Sequence, residues 1–295
     1  MRKWDTPDNR AFAAQVFDVL RRGGVLDPST FGSQSVLDLQ GVALPKVGQS
    51  SMTRIKGHME FDNATLRRID FSKARLEFSV WNKCIFEDIR FDGSRLNQVR
   101  FFGCRFANCS MRSTDLRNAS FSIGSDGSES ELANVVFEKT DLRGASCSNP
   151  LFRSVSFLDC KLQGFVFDGA LCDGVVFSGK FKELTFRGLP HDHDRNRLRI
   201  DLSRAIVMWL NADYGIDLHG VTLPSDGSCL IINNLLSAID CLCSRLPIEA
   251  GSSGRRLADV LERLYSSHAM SALEPSQDML FISKQMVADF SETSD

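Results

Sequence analysis

Phe61-Asp62-Asn63-Ala64-Thr65-Leu66-Arg67-Arg68-Ile69-Asp70-Phe71-Ser72-Lys73-Ala74-Arg75-Leu76 decides the fold. Phe61, Leu66, Phe71 and Leu76 stand five apart. The series continues through Trp81, Phe86, Phe91, Leu96, Phe101, Phe106, Met111, Leu116 and Phe121, thirteen large apolar residues without a gap. Two residues before each stands a second uncharged one, such as Ala64, Ile69, Ala74, Ser79, Cys84 and Thr114. The other three positions of each five carry nearly all the charge. A helix repeats near 3.6 residues and a strand near 2, so neither keeps such a series on one face. The chain must turn a corner once per five residues. Each side of the resulting coil then points one large and one small side chain inward, and stacked coils share the interior of a solenoid.

Asp115-Leu116-Arg117-Asn118-Ala119 and Asp141-Leu142-Arg143-Gly144-Ala145 resemble the A-(D/N)-L-x-x unit of pentapeptide repeat proteins, and Phe71-Ser72-Lys73-Ala74-Arg75-Leu76 is similar. The resemblance covers residues 57–188. It implies a mainly β fold, a right-handed quadrilateral β-helix with four pentapeptides per coil. It leaves function open, because one fold serves many functions.

Residues 1–56 read as an N-terminal cap. Thr6-Pro7-Asp8 starts a helix, with Thr6 as cap and Pro7 at its first position, and Gly23-Gly24 ends it. Leu37, Leu39, Val42 and Leu44 keep the two-and-five spacing. That stretch is either a detached repeat or a short strand and turn closing the solenoid. Between Phe121 and Leu132 lie ten residues where a repeat has four, so the segment 122–131 is expected to project as a Ser- and Gly-rich loop. A second block runs from Leu132 to Phe177 one step out of phase, and Phe181 and Phe186 shift the frame again. The repeats amount to about six coils and a rod about 30 Å long.

Beyond Gly188-Leu189-Pro190 the period is not evident. His191-Asp192-His193-Asp194-Arg195 reads as a polar linker. A helix is expected over Arg197–Ala212, with further helices near 228–245, 254–270 and 276–290, so that 189–295 forms an α-helical C-terminal module. It is expected to cap the rod or to form a homodimer. Ile216-Asp217-Leu218-His219-Gly220-Val221 repeats the motif of Leu37–Val42, which suggests similar settings at the two ends.

The chain of 295 residues has a formal net charge of −2, 22 Phe and 2 Tyr. So many rings with so few hydroxyls fit a dry interior. No apolar run is long enough for a membrane helix, and the N-terminus is not a signal peptide. Cys84, Cys104, Cys109 and Cys160 occupy small inward positions, Cys147 and Cys172 large ones. They read as buried thiols in a reducing compartment, the cytoplasm of a bacterium or, for a secreted effector, of its host. Cys241-Leu242-Cys243 lacks zinc-knuckle spacing and no catalytic motif is present, so neither cofactor, metal nor enzymatic activity is expected.

Candidate partner contacts lie on the outer surface: Arg90, Arg95, Arg100 and Arg105, one per side of a single coil; Phe102, an outward aromatic; and Ser125, Asp126 and Gly127 in the loop. The expected function is a non-enzymatic scaffold that binds another protein. The resemblance also implies an alternative, a DNA mimic that binds and protects gyrase or topoisomerase IV, whose projecting loops the 122–131 segment resembles. Such a mimic needs acidic faces. Residues 59–188 hold 18 Lys and Arg against 17 Asp and Glu, which opposes that alternative. Arginines circling the rod likewise oppose direct nucleic-acid binding.

Overall fold

The computed structural model describes residues 4, 6–32, 35–44, 59–213, 215–233 and 279–283. From Asn63 to Asn118, every fifth residue takes a positive φ, and the series resumes from Asn134 to Gly179. These are the corners. A left-handed residue costs little for Gly, Asn and Asp and most for a β-branched side chain. None of these 22 corner residues is Val, Ile or Thr. The next corner due after Asn118 falls on Ile123, which lacks a positive φ, and there the chain leaves the coil.

Strands of two or three residues link the corners and pair in parallel with strands twenty residues on. Glu60–Asp62 pairs with Val80–Asn82, which pairs with Arg100–Phe102, which pairs with Ser120–Ser122. With a corner every five residues, the rod has four sides. Its inner wall on one side climbs through Phe61, Trp81, Phe101, Phe121, Cys147, Phe167, Phe186 and Ala212. Eight rungs at strand spacing make that wall about 35 Å tall. Rings stack along a side, with centroids 4.1 Å apart for Phe61 and Trp81 and 4.6 Å for Phe86 and Phe106. Adjacent sides meet edge to face, as Phe101 and Phe106 do at 5.0 Å. Such pairs add to the large apolar burial of the rings.

The small inward positions carry a second device. The thiols of Cys84, Cys104, Cys109 and Cys160 and the hydroxyls of Thr114 and Thr140 donate to the carbonyls of Phe61, Trp81, Phe86, Phe137, Phe91 and Met111 respectively, each a large inward residue of the preceding coil. Burial pushes the Cys109, Cys147 and Cys160 thiols up to about 12. The described cysteines are free thiols, and all but Cys229 are buried.

The helix Pro7–Arg21 closes the lower end. Thr6 accepts from the Asn9 amide at 3.4 Å, Pro7 opens the helix, and Val16, Phe17 and Leu20 are buried on the first coil. The Phe17 ring lies 6.3 Å from that of Phe61. Val25–Leu26 pairs with Thr65–Leu66, Leu37–Asp38 pairs with Ile69–Asp70, and Ala43 bridges to Arg75, all in parallel. Three sides of an extra coil thus precede Phe61, and the Leu37–Leu44 stretch is a detached piece of the repeat.

The upper end departs from the sequence reading. Arg199–Asp213 is a strand, not a helix, and pairs in parallel with the long strand Leu171–Arg187. Ile200, Leu202, Ala205, Val207 and Leu210 are buried. Their spacing of two, three, two, three is the small-then-large alternation of the coils. The same residues can be sorted into a helical stripe, but that stripe needs Ile206 inside, and Ile206 is 60% exposed. Pairing with the finished coil below decides between the two patterns. Val221–Thr222 pairs in turn with Ile200–Asp201. The motif common to both ends adopts the same turn: Asp38 accepts from the Gln40 amide at 3.0 Å and Asp217 from the His219 amide at 2.8 Å. Cys229–Asn233 and Met279–Ser283 form an antiparallel pair where helices near 228–245 and 276–290 were expected. The second of these strands lies against Arg199–Asp213. The expected helix 254–270 and the remainder of the other two lie outside the described residues, as does any dimer surface on them. The α-helical C-terminal module is therefore corrected: the described part of 189–295 is predominantly strand, continuing the rod.

Candidate functional site

Pairing partners stand twenty residues apart in the lower rod, but Phe106 pairs with Leu132 and Phe121 with Cys147, twenty-six apart. Six extra residues therefore enter at the corner after Phe121. Higher up, Phe186 pairs with Ala212 and Asp173 with Arg199, again twenty-six apart. That insertion follows Phe186, which stands on the same side as Phe121. Both insertions thus leave the rod at one corner, with the ordinary corners at Asn149 and Gly169 between them.

The lower insertion is folded onto the rod. The Gly124 amide donates to the Ser128 carbonyl at 2.7 Å and the Gly127 amide to the Gly124 carbonyl at 2.9 Å. Asp126 accepts from the Ser128 amide and hydroxyl and lies 2.8 Å from the Lys83 ammonium. Lys83, then Ser128, hold its carboxyl well below the usual range. Ser130 is buried. Its hydroxyl donates to the Ser122 carbonyl at 2.8 Å and accepts from the Cys104 amide at 3.2 Å. The corner beneath is Gly103, left-handed, where any side chain would collide with Ser128. Ser125, Asp126 and Gly127 are exposed at the tip.

The upper insertion is closed by Asn196, which is buried. It accepts from the Leu189 amide at 2.7 Å and donates to the Leu189 carbonyl at 2.8 Å. Asp192 caps the short helix His193–Asn196 by accepting from the Arg195 amide at 3.0 Å. The Arg195 side chain, 12% exposed, then reaches down the corner. It donates to the carbonyls of Gly169 at 3.0 Å and Asn149 at 3.3 Å and meets the Glu129 carboxylate at 2.6 Å. One guanidinium therefore ties both insertions together across the two corners between them. Sequence reasoning took residues 191–195 for a linker and missed Arg195. The usable signal was the twenty-six-residue spacing, hidden while 197–212 was read as helix.

Arg100 and Phe102 share a strand on one side of this corner, and Arg105 begins the strand on the other. Phe102 is half-buried, between Asn82 and Ser122 on neighbouring strands. Arg105 lies 3.2 Å from Glu131, which also meets Arg153 at 3.4 Å. The corner thus gathers Arg100, Phe102, Arg105, Ser125, Asp126 and Gly127. Arg90 and Arg95 lie on the other two sides, 3.4 Å from Asp70 and 3.9 Å from Glu77. Among the described residues no three His, Cys, Asp or Glu side chains are grouped to hold a metal ion, and no helix is long and apolar enough to cross a membrane.

Similar solved structures include full-length QnrB1, described as a plasmid-mediated fluoroquinolone resistance protein. It is 20% identical, with 65% of this chain and 92% of that chain covered and a TM-score of 0.26. A trypsin-treated QnrB1 variant gives 19%, 66%, 93% and 0.31. HetL, a pentapeptide repeat protein involved in heterocyst differentiation regulation in the cyanobacterium Nostoc, gives 13%, 67%, 94% and 0.27. Comparison with curated protein sequences finds no match. Two family models described as pentapeptide repeats match the chain, one with nine copies over residues 61–105 and one with eight over 130–179. With left-handed corners every fifth residue and these matches on both sides of the lower insertion, residues 61–105 and 130–179 are pentapeptide repeats.

Proposed function

We propose that the chain is a non-enzymatic protein-binding scaffold, and that the corner bearing the two insertions is the surface it presents to another protein. One observation carries this reading: the tip Ser125-Asp126-Gly127 is exposed while the loop beneath it is fixed by Lys83, Ser130 and the Glu129–Arg195 pair. A loop ordered before binding loses little conformational freedom on binding. Loops held on a rigid support are where recognition concentrates. The side chains that fill the interior leave the rod no central cleft of its own for catalysis, and the family is one of structural and binding proteins. Free buried thiols suit a reducing, cytoplasmic setting.

The gyrase-mimic alternative requires unneutralised acidic faces. On this rod, however, acids alternate with arginines, as Glu131 does between Arg105 and Arg153. The test compares partner capture from a bacterial lysate by the full chain and by a variant lacking residues 124–129. A protein recovered by the parent and lost with the variant, both still folded by circular dichroism, is the expected result. Equal recovery by both removes the corner from the function. Protection of gyrase supercoiling from ciprofloxacin at near-stoichiometric protein would replace the scaffold reading with the mimic.

A further inference from the structure

A groove of about 940 Å³ lies between the N-terminal helix and the lower rod, on the side that carries Arg75 and Arg95. It is lined by Arg10 from the helix, by Lys73, Arg75 and Arg95 from the rod, and by Trp4; among the described residues no Asp or Glu lines it. Several cations elsewhere on the rod are paired with acids. Arg67 meets Glu87 at 2.6 Å, Arg112 meets Glu138 at 3.3 Å, and Arg117 and Arg143 bond to Asp115 and Asp141 at 2.8 and 2.7 Å. In the groove four cations converge with almost no such pairing. Arg75 and Arg95 are bridge partners on successive coils, so two like charges stack at strand spacing, and Asp115 on the next coil is engaged by Arg117. Among the described residues Arg10, Lys73 and Arg75 make no ion pair, and Arg95 has only Glu77 at 3.9 Å. Like charges directly opposite one another on neighbouring strands destabilise a sheet. Their retention around a concavity of ligand size calls for an anion.

We propose that this groove binds a small polyanion through a di- or triphosphate group, held by Arg75 and Arg95 with Lys73 and Arg10 closing on it. Planar guanidinium groups present paired donors to phosphate oxygens, which suits them to this task. Trp4, whose indole N–H is anchored on the Gln40 carbonyl at 2.6 Å, offers an aromatic surface to a ring attached to the phosphates. This site is independent of the insertion corner and of the protein partner.

The test is calorimetric titration of the full chain with tripolyphosphate and, in parallel, with ATP, at low ionic strength. Saturable one-to-one binding is expected, weakened by added salt. The double variant R75Q/R95Q is expected to bind about ten-fold more weakly or worse, whereas R143Q, which removes a cation already paired on the same side, binds like the parent. Tighter binding of ATP than of tripolyphosphate identifies a nucleotide-like ligand, and equal binding identifies recognition by the phosphates alone. Both require the same two arginines. Because R75Q/R95Q removes a like-charge stack, its melting temperature should be no lower than the parent's, so lost binding is not lost folding. Absence of a saturable isotherm, or equal affinity in parent and double variant, overturns the proposal.

Discussion

The indole Nε1 of Trp81 donates to the Ser79 hydroxyl at 2.8 Å inside the rod, and that hydroxyl donates to the Leu76 carbonyl at 2.7 Å. Trp81 occupies a place filled by Phe in the coils above and below, so its N–H needs a partner that a Phe does not. Ser79→Ala strands the indole N–H and should cost about 1–3 kcal/mol. In Trp81→Phe the same serine substitution should cost clearly less. Denaturant melts of the two single variants and the double variant measure the coupling, and simple additivity would dissolve this pairing.

Ser94 gives the opposite case. It is buried at the same inward position, yet its hydroxyl has no partner. Ala74 fills that place one coil below, and one coil above Thr114 donates to the Phe91 carbonyl at 2.9 Å. Ser94→Ala should stabilise the protein by about 1 kcal/mol, read as a higher denaturation midpoint at unchanged slope.

Phe101 is 1% exposed and packs against Phe86, Phe106 and Phe121. Phe101→Ala should cost about 3–5 kcal/mol through the cavity it leaves. Arg95→Ala, at a side chain 63% exposed, should change stability by under about 0.5 kcal/mol. Equal effects would contradict the five-residue register.

Much of that register was legible without coordinates, because its cause is local. Each corner needs a residue that tolerates a left-handed backbone, and each side admits one large and one small apolar side chain. Phe61 through Phe121 follow this plan, with Phe78 a bulky corner and Ser79, Ser94 and Thr114 polar at the small position. Ile200 through Leu210 obey the second, but no corner there has a positive φ, and Leu198, Leu202, Ile206 and Trp209 also fit a helical stripe. The choice was made by pairing with Leu171–Arg187, an interaction between segments that periodicity within one window does not contain. The corner site divides in the same way. Its Ser- and Gly-rich lower loop is visible as an interruption of the count, whereas Arg195 finds Glu129 sixty-six residues away.

Arg195→Ala should cost about 1–3 kcal/mol, because it leaves the Asn149 and Gly169 carbonyls and the partly buried Glu129 without their donor. Hydrogen exchange at residues 124–130 should quicken in the same variant, as the lower insertion loses its anchor. Exchange unchanged there would show that Lys83 and Ser130 suffice to hold the loop.

The carboxyls of Asp115 and Asp141 are held below the usual range, chiefly by hydrogen bonds from Arg117 and Arg143. A depressed folded-state pKa stabilises the fold above the unfolded value of about 3.9, and the gain is lost as pH falls through the folded value. Melting temperature should therefore decline below about pH 4. Asp141→Asn should melt below the parent at neutral pH, with the gap closing toward pH 2. A gap constant across that range would show that the Asp141–Arg143 pair does not titrate with folding.

The lower insertion lengthens the chain between sides and leaves the ladders above it in register, with Leu132 over Phe106 and Cys147 over Phe121 as though nothing intervened. Chain length at this corner is therefore decoupled from the interior, whereas a single residue added within a side would turn a phenylalanine outward. Evolution can revise what the rod displays here one segment at a time, by substitution, expansion or loss, and an engineer can splice a foreign peptide between Gly124 and Ser128 with the folding unit left as it was.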